Sequence, residues 1–128
     1  MNTPLTPREL AAPAAAYSLA VLSHNPNRIL HTSGIVGARP DGAVPDDIGE
    51  QAAVVWDSIA VLLAEAHMSV TDIVSYHTYV VHGHDLAAVM AARDAFLQGH
   101  RPCSTLVPVP ALARPDWKVE IAVIAIAE

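Results

Sequence analysis

A chain of 128 residues holds one domain and leaves no room for a second, and folding at this size removes roughly two-thirds of the unfolded chain's surface from water. Seven Lys and Arg against thirteen Asp and Glu give a formal charge of -6, which excludes the clustered basic surface that a nucleic-acid backbone requires. A hydrophobic fraction of 52% beside 16% charged residues points instead to a packed fold, with part of its apolar surface covered by neighbouring subunits.

The opening MNTPLTPREL has no basic start followed by an apolar run, and Pro4, Pro7 and Pro13 make the first segment a poor helix. Later apolar stretches are broken well before a membrane-spanning length, so the expectation is a soluble, cytoplasmic protein. Tyr17 to Leu22 and Arg28 to Val36 read as short strands joined at His24-Asn25-Pro26-Asn27 in a hairpin. Gly37 to Pro45 is a loop that leads to a helix start.

Asp47 and Glu50 have the spacing of a capping box, in which the aspartate binds first-turn amides and the glutamate reaches back. Behind it Ile48, Ala52, Val55, Ile59, Leu62, Leu63 and Ala66 recur at helical intervals and predict one buried stripe, ending near His67. Ile73 to Val81 is a strand that sends Ser75, His77, Tyr79 and Val81 to one face and Val74, Tyr76, Thr78 and Val80 to the other. Neither set is plainly solvent-facing, as in a strand inside a sheet or at a subunit interface.

Asp85 caps a second helix with the stripe Leu86, Val89, Met90, Arg93, Phe96 and Leu97, stopping near Gly99. Strands follow from Cys103 to Val109 and from Trp117 to Ala127, around a proline-marked loop from Pro110 to Pro115. This order predicts an α+β domain with both helices on one face of a mixed sheet. The other face then needs cover, which a closed ring of copies supplies.

Cys103 is the single cysteine, which excludes an internal disulfide and a cysteine-based zinc site and fits a reducing compartment. Strand alternation aims it away from Ser104, so it is read as a structural thiol. His82 and His84, with His77 or Asp85, do not supply converging ligands at a recognisable spacing, and no metal site is expected. Glu120 stands between Val119 and Ile121 in an apolar strand, where a carboxylate needs either hydrogen bonds or a wet cleft. It is read as a general base or acid, or else as an interface carboxylate paired with Lys118 or a neighbouring subunit.

Several stretches resemble the RidA (YjgF) family almost end to end: Pro13 to Val21 with Tyr17, Thr32-Ser33-Gly34, Glu50-Gln51, Val70-Thr71-Asp72-Ile73-Val74, Pro102 to Thr105, and Lys118-Val119-Glu120-Ile121. The resemblance implies a chorismate-mutase-like fold and a homotrimer whose sheets form a central barrel, with a cleft at each subunit boundary. It also implies cofactor-independent hydrolysis of imines and enamines of small metabolites. By the same resemblance Glu120 is the catalytic carboxylate, Ser33 and Gly34 hold the polar end of the substrate, and Tyr17 covers it.

Ser104 stands where the family's Pro-X-Arg-Ser motif carries the arginine that grips a substrate carboxylate. A serine gives one neutral donor on a short arm where a guanidinium gives two parallel charged ones. Ala15-Ala16, Ile35 and Ser58 also depart from the family pattern, toward a more apolar pocket. Arg101 lies three positions before Ser104, so alternation aims it at the opposite face, whereas Arg114, on a loop, is the better substitute for the missing cation. Two readings follow: an imine or enamine hydrolase with a remodelled pocket, and a non-catalytic trimer that binds a small metabolite or a partner protein.

Overall fold

The longest apolar period in the sequence becomes the longest helix. In the computed structural model, which describes residues 1–128, α1 spans Ile48–Glu65, and the Asp47 carboxylate accepts the Glu50 amide at 2.9 Å. Only this half of the expected capping box forms. Ile48, Ala52, Val55, Ile59 and Leu63 are buried as the stripe predicts, but Leu62 is 37% exposed and Trp56 takes its share of the core. Trp56 is drawn in by aromatic partners: it stacks on Phe96 at 4.8 Å between ring centroids and meets Tyr76 edge-on at 5.6 Å.

Helix α2 covers Leu86–Leu97, capped by Asp85, and buries Val89, Arg93 and Leu97. Leu86, expected to begin the buried stripe, is 39% exposed at the first turn of the helix. The helix stops where Gln98 and Gly99 adopt φ of 47° and 87°, left-handed values that glycine tolerates without strain.

Seven strands follow the chain order β1 Asn2–Leu5, β2 Ala20–Ser23, β3 Arg28–His31, β4 Ile35–Val36, β5 Ile73–Val81, β6 Cys103–Val109 and β7 Val119–Ala127. The main sheet runs β3-β7-β5-β6, with β4 also on β7; β5 and β6 are parallel and the other pairs antiparallel. This is the expected α+β architecture with a mixed sheet, and α1 packs on α2 and on β7.

The predicted hairpin between the first two long strand segments does not form. β3 pairs with β7, while β2 pairs with β1, a strand in the segment whose prolines predict only a poor helix. Pro4 is compatible with this place because an edge strand tolerates a missing donor. The Met1 ammonium donates to the His24 carbonyl at 2.7 Å and to the Glu128 carboxylate, which holds the Glu128 carboxyl below its ordinary value. Asn2 Nδ2 donates to the Ile126 carbonyl at 2.9 Å, so the β1–β2 ribbon is fastened to the end of β7.

Register decides which side chains share a face. Tyr76, Thr78 and Val80 of β5 and Val119, Ile121, Val123 and Ala125 of β7 lie under the helices, all buried. The opposite face carries Ser75, His77 and Tyr79 beside Ile124, Ala122 and Glu120, with His31 and Ile29 on β3; no element of the chain covers it, and Ile29 is 54% exposed. No helix is long and apolar enough to cross a membrane.

Candidate active site

Gln51 shows how one polar side chain can fix a functional strand. It is fully buried, and its Nε2 donates to the carbonyls of Pro45 (2.7 Å) and Asp116 (2.9 Å), while its Oε1 accepts the Lys118 amide at 2.9 Å. Every hydrogen-bonding site used is satisfied, so the loops before α1 and before β7 are locked together. Gly37 packs where a Cβ would lie 2.7 Å from Gln51 Cβ. Together they fix Lys118, just before β7 begins and two residues before Glu120.

Glu120 is half-buried on the open face of the sheet, in register with Val36 of β4 and Tyr79 of β5. Its carboxylate lies directly against Gly34: a Cβ at that glycine would fall 2.6 Å from Glu120 Cδ. Here the lack of a side chain is required for close approach. Ser33 is exposed beside it, and Thr32 anchors the segment, with its hydroxyl accepting the Val123 amide at 2.9 Å and donating to the Ser33 carbonyl at 2.8 Å. The structure thus brings Ser33, Gly34 and Glu120 together.

No hydrogen bond or ion pair within the chain involves the Glu120 carboxylate. Lys118, the expected structural partner, donates its ammonium to the Asp46 carbonyl instead. A half-buried carboxylate with its lone pairs unoccupied can accept a proton from water or from a ligand.

Tyr17 lies elsewhere. Its neighbour Ser18 donates its amide to the Pro102 carbonyl at 3.1 Å and its hydroxyl to the Arg101 carbonyl, which lays this segment along the entrance to β6. Tyr17 lines a cavity of about 430 Å³ whose wall includes Thr71, Ile73, His100 and Arg101 but neither Ser104 nor Glu120.

Ser104 pairs in register with Tyr76 and therefore points to the helix side, opposite to Glu120; Cys103 pairs with Ser75 and points to the open face, as alternation predicts. Glu120 is two strands from Ser104, about 10 Å across the sheet, and offset by three residues, roughly 10 Å along it. No small ligand can touch both within one chain.

Arg114 is exposed, with its guanidinium carbon 5.3 Å from the centre of the Trp117 ring. Arg101 is not governed by strand alternation, because β6 begins only at Cys103; it is exposed and faces the cavity that Tyr17 lines. Sequence reasoning discounted this residue by extending a strand rule past the strand's end. Among His, Cys, Asp and Glu there is no cluster of three that could hold a metal ion.

The candidate site is thus a half-buried acid against a bare glycine, on an α+β sheet whose second face is left open. The chain belongs to the family described as "Endoribonuclease L-PSP", whose model matches residues 8–127, the same RidA (YjgF) family that its motifs resemble. A 2-iminobutanoate/2-iminopropanoate deaminase of Escherichia coli is 34% identical over 99 residues, spanning 74% of this chain and 77% of that protein. The mitochondrial protein MMF1 of Saccharomyces cerevisiae is 30% identical over 128 residues, 97% of this chain and 86% of that protein. A Rid-family protein of unknown function from Yersinia pestis superposes with a TM-score of 0.85 at 28% identity, covering 98% of both chains.

Proposed function

We propose that this chain acts on small imines or enamines, hydrolysing them to a carbonyl compound and ammonia in a cleft completed by a second copy within a homotrimer. The observation that carries this reading is the unpartnered Glu120 carboxylate held against Gly34. In the step it supports, Glu120 takes a proton from water as the water oxygen bonds to the imine carbon and the carbon–nitrogen π electrons move to nitrogen. The nitrogen gains protons, the carbinolamine collapses to a carbonyl, and ammonia leaves. Water is the only co-reactant, so the chemistry calls for no cofactor or metal.

The Ser33–Gly34 backbone would hold the polar end of the substrate, with Tyr17 as cover. Because Tyr17 and Ser104 lie at the β6 end of the chain and Glu120 beyond the opposite face of the sheet, they meet on one ligand only if copies adjoin. The uncovered sheet face supports such a ring. Despite the family's description, a net charge of -6 speaks against RNA as substrate.

An amino-acid oxidase that generates imines, with imine decay followed in the presence of this protein, tests the reading. Glu120→Gln should slow the accelerated decay by at least about 100-fold, the usual worth of a positioned general base; an unchanged rate would remove its role. A second reading, a trimer that binds a metabolite without hydrolysing it, is favoured by Ser104 in the arginine position. Binding by calorimetry with no acceleration of imine decay would select it.

A further inference from the structure

The loss of the arginine at position 104 does not leave the chain without a guanidinium near Tyr17. Arg101 lines the same cavity of about 430 Å³ as Tyr17, and its side chain makes no hydrogen bond or ion pair within the chain. The nearby Asp94 carboxylate, which shares an adjoining cavity with Arg101, is taken by Arg93 at 2.9 Å. No acidic residue lines the larger cavity, so its one permanent cation is uncompensated there.

The backbone at this point is fixed from several sides. The Arg101 carbonyl accepts the Ser18 hydroxyl, Pro102 is buried and accepts the Ser18 amide, and the preceding His100 places Nε2 2.8 Å from the Ile73 carbonyl. The fixed main chain sets where the guanidinium can reach, and only the side chain has still to be ordered when an anion binds. Across the cavity the Tyr17 oxygen accepts the Ala14 amide at 3.2 Å, which leaves its O–H available to a ligand. Ile73, Val21 and Pro13 supply the apolar part of the wall, and Thr71 adds a hydroxyl.

We infer that Arg101 is the carboxylate-binding residue of this chain. Its cavity takes a small monocarboxylate with a short apolar side chain, of the 2-oxo or 2-imino acid class. A bidentate guanidinium–carboxylate pair fixes one end of the ligand, Tyr17 donates to the 2-oxo or 2-imino group, and Ile73 and Val21 pack on the alkyl end. The assignment deepens the function proposed above, and it supplies by a different residue what Ser104 cannot.

Isothermal titration calorimetry with 2-oxobutanoate tests it. The wild-type chain should bind 2-oxobutanoate and not its uncharged methyl ester. Arg101→Gln should weaken binding by roughly 10- to 100-fold, as expected for loss of a charge-assisted pair. Thermal melts check that this exposed substitution leaves the fold intact, and Arg39→Gln, on the distant loop before α1, should bind as wild type.

Equal affinity of Arg101→Gln and wild type, transfer of the loss to Arg114→Gln, or equal binding of acid and ester would each overturn the inference. Its fate is separable from that of the hydrolysis reading. Binding through Arg101 without any imine turnover leaves the inference standing and removes hydrolysis; turnover with no effect of Arg101→Gln on affinity or KM does the reverse.

Discussion

Strand β7 presents two faces that meet different fates. Val119, Ile121, Val123 and Ala125 are each at most 2% exposed beneath the helices, whereas Ala122, Ile124 and Ile126 alternate with them on a face that nothing in the chain covers. The covered face contributes its burial energy to the folding of one chain. The open face sets its apolar residues beside Ser75, His77, Tyr79 and Glu120, the mixture of an interface rather than of a core. Glu120 belongs to the open face, so the candidate catalytic group is placed where association, rather than folding, would exclude water.

Two substitutions one residue apart break this comparison most sharply. Val123→Asp places an unpaired charge among the core residues Ile59, Tyr76 and Ile121, and should cost about 3–5 kcal/mol or more, enough to unfold a large share of a marginally stable domain. Circular dichroism in a urea titration would register it. Ile124→Asp puts the same charge on the open face and should leave the chain folded while reducing a trimer to monomers in light scattering after gel filtration. If both variants unfold alike, or if Ile124→Asp remains a trimer, the open face is not the assembly surface.

Gly34→Ala gives the next effect and concerns only the open face. The added methyl would meet the Glu120 carboxylate within 2.6 Å of Cδ, and the carboxylate, held by no other bond, is the group that moves. The stability change should stay near the low end of overpacking costs, about 1 kcal/mol. Imine turnover should fall at least tenfold, since displacing a positioned base by an ångström is costly. Equal turnover would separate Gly34 from the chemistry.

The two faces also differ in how far they could be read from sequence. Helical period, the Asp47 and Asp85 caps and strand alternation located both helices, β5, β6 and β7, because each signal is local and each element buries one stripe. Pairing is not local. β1 joins β2 across Met1–Ser23, and β3 leaves its sequence neighbour for β7, a choice set by packing rather than by the turn at His24–Asn27. In the site, Tyr17, Ser33, Gly34 and Glu120 could be singled out by resemblance, but that Gly34 touches Glu120 while Ser104 faces away depends on register across three strands. Arg101 is set aside by alternation for a smaller reason, the position at which β6 begins.

The smallest predicted effect tests whether the covered face is as complete as its burial suggests. Trp56 Nε1 and Tyr76 Oη are both buried without a hydrogen-bond partner, although the rings around them are well packed. An unpartnered hydroxyl in a core has lost its hydration without recompense, so removing it should cost nothing. Tyr76→Phe should therefore shift the free energy of unfolding by no more than about 1 kcal/mol, and toward greater stability. Chemical denaturation of the two proteins side by side gives the sign. A destabilisation larger than that would mean that the hydroxyl holds a bridging water, and that the core beneath the helices is wetter than its side chains alone indicate.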